Sequence, residues 1–288
     1  MTAYVLGRRL DSLLAGSSIE QIREYPCLLS FTLSEAPFRF MKIFRVGVRS
    51  ALVLTDSPPP PSSYSIPIFK QAWGGMITGA GSLGIDRIIV LRTREESGWE
   101  SATPYIFRLD FITPAAPVSL FGAGSGQLVA VSGSISGRKS LEPDSRPRSA
   151  PYSLLALPEK APESMAGGKA LIGLVEGLDP VAAEVISAHC GTDRKALWEY
   201  LRGLLPALHS QEGQWYLYRY RKRTVIYPVP LPFPEPPLET GSYRRVMEKH
   251  FDETVYPEFI DLLRKRAGSN IRSRAKKLRR LIRNLDRD

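Results

Sequence analysis

Residues 27–55 read CLLSFTLSEAPFRFMKIFRVGVRSALVLT, and three short apolar runs in this stretch are separated by turn-forming residues. The runs cover residues 27–33, 38–44 and 51–55. Runs of this length, rich in aliphatic and aromatic residues and bounded by turns, are typical of strands that bury one face. The stretch therefore predicts an antiparallel sheet.

The flanking sequence extends this sheet and adds helices. Upstream, residues 3–14 carry leucines at helical spacing and Gly16 follows as a stop signal, so an amphipathic helix is predicted there. Downstream, prolines 58–61 cannot join a ladder and indicate an exposed connection. Residues 66–76 predict a second helix. Further strands are predicted at residues 19–23, 87–93, 105–111, 118–121 and 128–131, which makes the first part of the chain α+β.

The next part of the chain changes in composition and then becomes helical. Residues 132–162 are rich in Ser, Gly, Pro and Arg, which predicts a linker or long loop. Three short helices are predicted next. The first covers residues 170–175, the second has Asp179 as its N-cap and Pro180 at its first position, and the third runs from Asp193 to Leu205. The first two, joined by a turn at residues 176–179, outline a helix-hairpin-helix whose backbone N–H groups could bind a phosphate. An ordinary helical hairpin that packs a core fits the same pattern equally well.

The remaining sequence predicts a hairpin, a spacer and a helical arm. Strands at residues 215–220 and 224–229 enclose Arg221, Lys222 and Arg223, a basic tip that either contacts an RNA backbone or is a solvated turn. The proline-rich residues 228–237 predict an extended spacer between two bodies. Residues 242–288 have a helical pattern with a weak point at Gly268. Apolar residues recur there every seven positions, as in the seam of a coiled coil: Ile271, Leu278 and Leu285.

The positive charge is concentrated at the C-terminus. The chain has a net charge of +10. Residues 264–288 hold eleven Lys or Arg against two Asp, a balance of +9, so the other residues together carry +1. Such a basic segment favours binding to an RNA backbone through counterion release. The residues predicted to contact that backbone on this segment are Arg272, Arg274, Lys276, Lys277, Arg279 and Arg280.

No pattern in the sequence predicts catalysis, a metal site or a cofactor. Cys27 and Cys190 have no ligand spacing, and none of the three histidines pairs with a nucleophile; adjacent helical residues such as His189 and Cys190 do not face one another. The glycine-rich stretches lack the Lys-Ser/Thr of a phosphate loop. No apolar run has the length of a signal peptide or a membrane span, so we expect a cytoplasmic protein without membrane contact.

The stretch Gly84-Ile85-Asp86-Arg87-Ile88-Ile89 resembles the NFACT family, which includes the fibronectin-binding A proteins and the ribosome-associated quality-control factors. Three other parts agree in order: the N-terminal helix followed by Gly16-x-x-Ile19-x-x-Ile22, residues 175–185, and the entry into a basic coiled coil. The resemblance implies a glycosylase-like β-rich domain with a linker over residues 1–160. A helix-hairpin-helix domain with its hairpin and spacer would cover residues 161–238, and a basic coiled-coil arm residues 239–288.

The resemblance also implies a function. Asp86 and Arg87 match a pair tied to tRNA recruitment in the family, and the basic arm would contact rRNA of the large ribosomal subunit at stalled nascent chains. The alternative for Asp86 and Arg87 is an ordinary ion pair. The chain has no returning arm, so a partner chain would complete the coiled coil. It lacks the Pro-Glu start and the zinc finger of the glycosylases, so a base-excision activity is disfavoured. A protein-interaction module or adhesin without an RNA role is the other alternative.

Overall fold

The computed structural model describes residues 2–46, 49–59, 65–84, 87–95, 104–112, 116–132, 150–162, 167–210, 214–221 and 223–285. The fold is α+β, with a large antiparallel sheet in the N-terminal part and a long helix at the C-terminus. Within these ranges, no helix is long and apolar enough to cross a membrane.

The N-terminal part consists of one helix and a ten-stranded sheet. Helix α1 is Thr2–Leu14; the strands are β1 (Ser18–Tyr25), β2 (Leu28–Ser34), β3 (Phe40–Val46), β4 (Arg49–Thr55), β5 (Ile66–Pro67), β6 (Gly75–Ser82), β7 (Ile88–Glu95), β8 (Tyr105–Asp110), β9 (Val118–Gly122) and β10 (Leu128–Ser132). The order is β10-β9-β8-β7-β6-β1-β2-β3-β4, with β5 beside β1. The first predicted helix is confirmed, and each predicted strand coincides with an observed one to within a few residues.

The helix predicted over residues 66–76 is wrong. Ile66 and Pro67 instead pair with β1, residues 70–72 form a short 3-10 turn, and β6 begins at Gly75. The apolar residues here imitate a helical spacing, but Gly74 has a φ of 78° and turns the chain into the sheet. The sheet pairing therefore overrides the local pattern.

The two ends of the sheet are joined by a polar cluster. Arg45 on β3 contacts Glu24 on β1 at 2.8 Å and the hydroxyl of Ser132 on β10 at 2.7 Å. That hydroxyl also donates to Glu24 at 2.7 Å. Because β10 is one edge of the sheet and β3 lies next to the other, the sheet must curl on itself.

Helix α1 lies against the glycine-rich strand β6 with almost no gap. A Cβ on Gly7 would stand 2.8 Å from the backbone C of Gly81 and 2.8 Å from the backbone N of Ser82. The Asp11 carboxylate accepts a hydrogen bond from Ala80 N at 2.7 Å. Gly7 of α1 and Gly79 of β6, where a Cβ would stand 3.3 Å from the Asp11 carboxylate, therefore serve close packing of the helix on the sheet.

A second core forms around the helical part of the chain. Its elements are β11 (Tyr152–Ser153), α2 (Gly167–Leu174), β12 (Val175–Glu176), α3 (Pro180–Cys190), α4 (Arg194–Gly203), α5 (Leu205–His209), β13 (Trp215–Tyr220) and β14 (Arg223–Tyr227). Asp179 caps α3 as predicted. Part of the predicted linker belongs to this core, since Leu154 is fully buried and Trp198 Nε1 donates to Pro158 O at 2.9 Å. Residues 133–149 of that linker lie outside the described residues.

The proline-rich residues 228–237 do not form the predicted spacer between separate bodies. Val229 and Leu231 are buried in the second core, and the Phe233 ring stacks on Tyr218 at 4.3 Å. Strand β15 (Glu239–Gly241) then pairs with β13. The prolines alternate with apolar residues, and the tyrosines of the hairpin cover those residues, so burial holds the segment in place.

The C-terminal segment is helical from Tyr243 to Leu285. Helix α6 (Tyr243–His250) continues through a π-helical turn (Phe251–Val255) into α7 (Tyr256–Leu285). The predicted weak point at Gly268 is wrong, because α7 runs through it without a break. Phe251 and Phe259 pack against Phe44 of the sheet. The irregular turn therefore lies where the helix is buried against the sheet.

Candidate nucleic-acid interface

A cleft of about 400 Å³ lies between the sheet and the helical part of the chain, and we call it the Arg87 cleft. Arg87 stands exposed at this cleft, immediately before β7, and its carbonyl accepts a hydrogen bond from Phe111 N at 2.8 Å. Most of the lining is apolar. The lining includes Ala3, Leu6, Leu52, Ile89, Phe111, Ile112, Pro180, Val181, Val225, Ile226 and Met247.

The start of α3 forms one fixed side of the Arg87 cleft. Asp179 Oδ1 accepts hydrogen bonds from Val181 N at 2.9 Å and Ala182 N at 3.0 Å, as an N-cap does. The Tyr227 hydroxyl donates to the same oxygen at 2.8 Å. Burial, and then the charge of Asp179, raises the pKa of Tyr227 well above its ordinary value, so this hydroxyl keeps its proton. The cap and the hairpin are thereby joined.

Helix α6 forms the other side, through a chain of short hydrogen bonds. His250 Nδ1 lies 2.7 Å from Thr224 Oγ1, and that oxygen lies 2.6 Å from Thr254 Oγ1 in the π-helical turn. Both threonines are buried. The Tyr243 hydroxyl donates to Leu52 O at 3.2 Å, and burial raises the pKa of Tyr243. The cleft is therefore preformed, with a guanidinium and an imidazole beside apolar walls.

At the tip of the β13–β14 hairpin, Arg221 is exposed and pairs with a carboxylate of α3. Its guanidinium lies 3.2 Å from the Glu184 carboxylate on α3 and 4.9 Å from the centre of the Tyr220 ring. The Tyr220 hydroxyl also donates to Glu184 at 2.6 Å, and this bond is the main cause that lowers the pKa of Glu184. The carboxylate contact is made by Nη2, so the guanidinium retains further donors for a phosphate without leaving the carboxylate. Arg223 is exposed, and Lys222 lies outside the described residues.

The second half of α7 is a solvated basic rod. Ile271 and Leu278, two residues of the predicted seam, are 68% and 60% exposed. Among the described side chains from residue 264 onward, the one ion pair joins Arg264 to Asp261 at 3.5 Å. The five predicted RNA-backbone residues Arg272, Arg274, Lys276, Lys277 and Arg279 are exposed, and Arg280 lies within the bounds of α7. At about 1.5 Å per residue, residues 264–285 extend about 33 Å.

The structure brings some of the predicted residues together and leaves others apart. Arg87 shares its cleft with the N-cap Asp179, which the sequence placed in a separate domain. Asp86 lies outside the described residues. His250 and Thr224 were not predicted, because they are 26 positions apart and neither belongs to a motif. The basic helix is connected to the cleft directly, since His250 ends α6 and α7 follows the turn.

Comparison with known proteins identifies a shared fold but no match by sequence. No protein-family model and no curated protein matches this chain by sequence. Among solved structures, the N-terminal part of the fibronectin/fibrinogen-binding protein from Streptococcus suis superposes with a TM-score of 0.60 at 14% identity, covering 88% of this chain and 97% of that one. The fibrinogen-binding protein from Staphylococcus aureus also gives a TM-score of 0.60 at 14% identity, with 87% and 97% covered. At this identity the likeness shows a shared fold, which agrees with the resemblance at residues 84–89.

Proposed function

We propose that this protein is a non-catalytic RNA-binding module of the cytoplasm that contacts tRNA through the Arg87 cleft and large-subunit rRNA through the basic helix. In this proposal it acts on ribosomes that carry stalled nascent chains. The observation that carries the proposal is the basic helix: a rod of about 33 Å on which the described cations beyond Arg264 have no carboxylate partner.

The charge of the helix supports contact with a polyanion more than with a protein surface. A run of solvated guanidinium and ammonium groups releases counterions when it lies along a phosphate backbone. The core of a protein interface, by contrast, is depleted in charged residues. The exposed stripe of Ile271 and Leu278 would be covered by a helix of a partner chain, which would complete a coiled coil.

The Arg87 cleft supports a contact with a folded RNA. Sequence-specific RNA recognition generally uses unpaired bases that enter a pocket while cations hold the backbone. Arg87 stands beside apolar walls, and α2, the turn at Gly177 and α3 form the helix-hairpin-helix of the proposal, with α3 starting at the cleft. Asp86, the neighbour of Arg87 in sequence, would orient its guanidinium in this proposal.

The test is cosedimentation of the full chain with ribosomes, together with filter binding to total tRNA, at low and high salt. We expect binding to both at low salt and a steep loss as salt rises. If the chain bound neither ribosomes nor tRNA at low salt, the proposal would be overturned. Duplex DNA that carries damaged bases serves as a check on the non-catalytic part, since release of a base or cleavage of a strand would contradict it.

A second candidate function comes from the names of the two superposed proteins, which bind fibronectin or fibrinogen. In that case the chain would be a protein-interaction module or an adhesin without an RNA role. Immobilised fibronectin and fibrinogen separate the two functions at physiological salt. Capture of the chain there, together with no RNA binding at low salt, would favour the second candidate.

A further inference from the structure

A second cleft lies on the other side of α1 from the Arg87 cleft. It has a volume of about 570 Å³ and runs between the C-terminal half of α1, the end of α5, β13 and the start of α6. We call it the Arg8–Arg9 cleft. One face of α1 lines the first cleft, with Thr2, Ala3 and Leu6, and the opposite face lines the second, with Val5, Arg8, Arg9, Asp11 and Ser12. The second cleft is lined by Val5, Arg8, Arg9, Asp11, Ser12, Ala80, Leu208, Ser210, Trp215, Ser242 and Tyr243.

The charges in this cleft are unbalanced. Arg8 and Arg9 bring two guanidinium groups, and Asp11 brings the one carboxylate among the described lining residues. The Asp11 carboxylate is already used, because its Oδ1 accepts a hydrogen bond from Ala80 N at 2.7 Å and thereby holds α1 on β6. Its single negative charge offsets one of the two guanidinium charges, so the charged lining residues leave one positive charge in excess.

The two arginines differ from the arginines of α6, the helix whose first residues line the cleft. Arg244 contacts Glu248 at 2.9 Å, and Arg245 contacts Glu239 at 2.7 Å. Neither Arg8 nor Arg9 has a carboxylate partner in the part of the chain that the structure describes. Arg8 makes only a long hydrogen bond of 3.4 Å to His209 O. Its guanidinium also lies 5.9 Å from the centre of the Tyr4 ring.

The rest of the lining supplies hydroxyl groups over an aromatic floor. Ser210 and Ser242 line the cleft and are exposed; Ser12 is exposed there too, but its hydroxyl donates to Arg9 O at 2.9 Å. Beneath them, the rings of Trp215 and Tyr243 contact each other at 4.9 Å, and both are buried. Guanidinium groups and hydroxyls are the side-chain donors that bind phosphate oxygens. Because the two rings are buried and packed together, the cleft has its shape before a ligand binds.

We propose that the Arg8–Arg9 cleft binds a phosphate group, with the two guanidiniums as its main donors. The phosphate belongs either to an RNA backbone or to a free phosphorylated small molecule. This inference goes beyond the proposed function, since it concerns a site that shares no cation with the Arg87 cleft or the basic helix.

The first arm of the test is calorimetric titration of the full chain with inorganic pyrophosphate. We expect saturable binding that weakens by about a hundredfold or more in R8Q/R9Q, since each of the two lost charge-assisted hydrogen bonds contributes about tenfold or more. The R8K/R9K variant keeps both charges and should retain part of the binding. Thermal unfolding of each variant checks that the fold is intact. The matched control K195Q/R202Q removes two exposed cations from α4, which does not line the cleft, and should leave binding unchanged.

The second arm identifies the source of the phosphate. It measures the salt dependence of binding to a short single-stranded RNA for the wild type and for R8Q/R9Q. Two lost phosphate contacts should reduce the slope of log K against log salt by about 1.4. A reduced slope assigns the site to RNA, and pyrophosphate binding with an unchanged slope assigns it to a free phosphorylated molecule. If the wild type binds no pyrophosphate and the slope is unchanged, or if R8Q/R9Q binds both probes like the wild type, the inference is wrong. The pyrophosphate arm does not require RNA binding, so it can succeed where the proposed function fails.

Discussion

The Tyr227 hydroxyl donates to Asp179 Oδ1 at 2.8 Å across 48 positions of sequence and ties the hairpin to the start of α3. Tyr227 is buried, and the oxygen it contacts also caps α3. We expect Tyr227→Phe to lower the free energy of unfolding by about 1.5–3 kcal/mol, the usual range for a hydrogen bond to a charged group. Urea unfolding followed by circular dichroism measures this.

The control for that change is Tyr220→Phe. The Tyr220 hydroxyl also contacts a carboxylate, but Glu184 is exposed and solvent competes for the bond. A loss below about 1 kcal/mol is expected there, because solvent weakens this exposed hydrogen bond as it weakens exposed ion pairs. Equal losses in the two variants would contradict a special role of the buried bond.

Gly7→Ala should destabilise the protein strongly. The new Cβ would stand 2.8 Å from two backbone atoms of β6, which cannot move aside as a flexible side chain can. Overpacking of this kind costs about 1–3 kcal/mol or more. Differential scanning calorimetry should show a lower Tm.

Gly173→Ala serves as the matched control. Gly173 also lies in a helix, but its added Cβ would meet nothing within 4 Å. The helix propensity of alanine should stabilise this variant by about 0.5–1 kcal/mol. A Gly7→Ala variant as stable as Gly173→Ala would mean that α1 does not press on β6 as described.

Lys42 predicts a pH dependence of stability. It is 6% exposed on β3, its Nζ donates to Pro58 O at 3.0 Å, and burial lowers its pKa from 10.5 to about 8. The unfolded chain therefore binds the proton more tightly than the folded chain, so this residue's contribution to stability improves as the pH rises from about 8 to 10.5. The difference in unfolding free energy between wild type and Lys42→Met should accordingly shift in favour of the wild type between these pH values. A difference that does not change with pH would contradict the burial of a charged amine.

Arg87→Ala tests the first cleft. Because Arg87 is exposed and contributes only a backbone carbonyl to the hydrogen bonds of the sheet, its loss should leave the Tm unchanged. We expect tRNA affinity to fall by about 1.5–3 kcal/mol, as for loss of a charge-assisted bond. Filter binding measures this, with Arg92→Ala as control, because Arg92 is an exposed arginine on β7, the strand that Arg87 precedes. Equal tRNA binding by the two variants would remove Arg87 from the interface.

Neutralising Lys276, Lys277, Arg279 and Arg280 tests the basic helix. If all four contact rRNA phosphates, the slope of log K against log salt should become shallower by about 2.8–3.6, at 0.7 to 0.9 per contact. This loss should affect every RNA, whereas Arg87→Ala should affect tRNA. If both variants lost tRNA binding to the same extent and kept their binding to other RNAs, the cleft and the basic helix would not have the separate roles proposed here.

The sequence predicted most of the sheet because its strands alternate or run apolar between turn residues. It also predicted the cap at Asp179, because Asp followed by Pro is a local signal. It failed where tertiary contacts decide the structure. Residues 66–76 and the prolines of residues 228–237 are placed by strand pairing and by the aromatic cover of the hairpin. These contacts join residues that are distant in sequence, and no window of sequence contains both partners.

At the candidate site, too, local sequence signals were predictable and tertiary contacts were not. Arg87 was found through a short motif, and the cations of α7 through their density. The cleft around Arg87 was not predictable, since its walls come from α1, the sheet, α3, β14 and α6 together. Arg8 and Arg9 gave no signal, because two arginines on an amphipathic helix are ordinary in sequence.

The π-helical turn at Phe251–Val255 joins a helix that borders the Arg87 cleft to α7, which carries the basic rod. Phe259, one turn into α7, packs against Phe44, so the rod projects only beyond the part of α7 that the sheet holds. A bend of about 5° at residue 264 would carry the tip of the rod through about 3 Å, roughly half the pitch of an α-helix. A displacement of that size would change which phosphates the tip can reach.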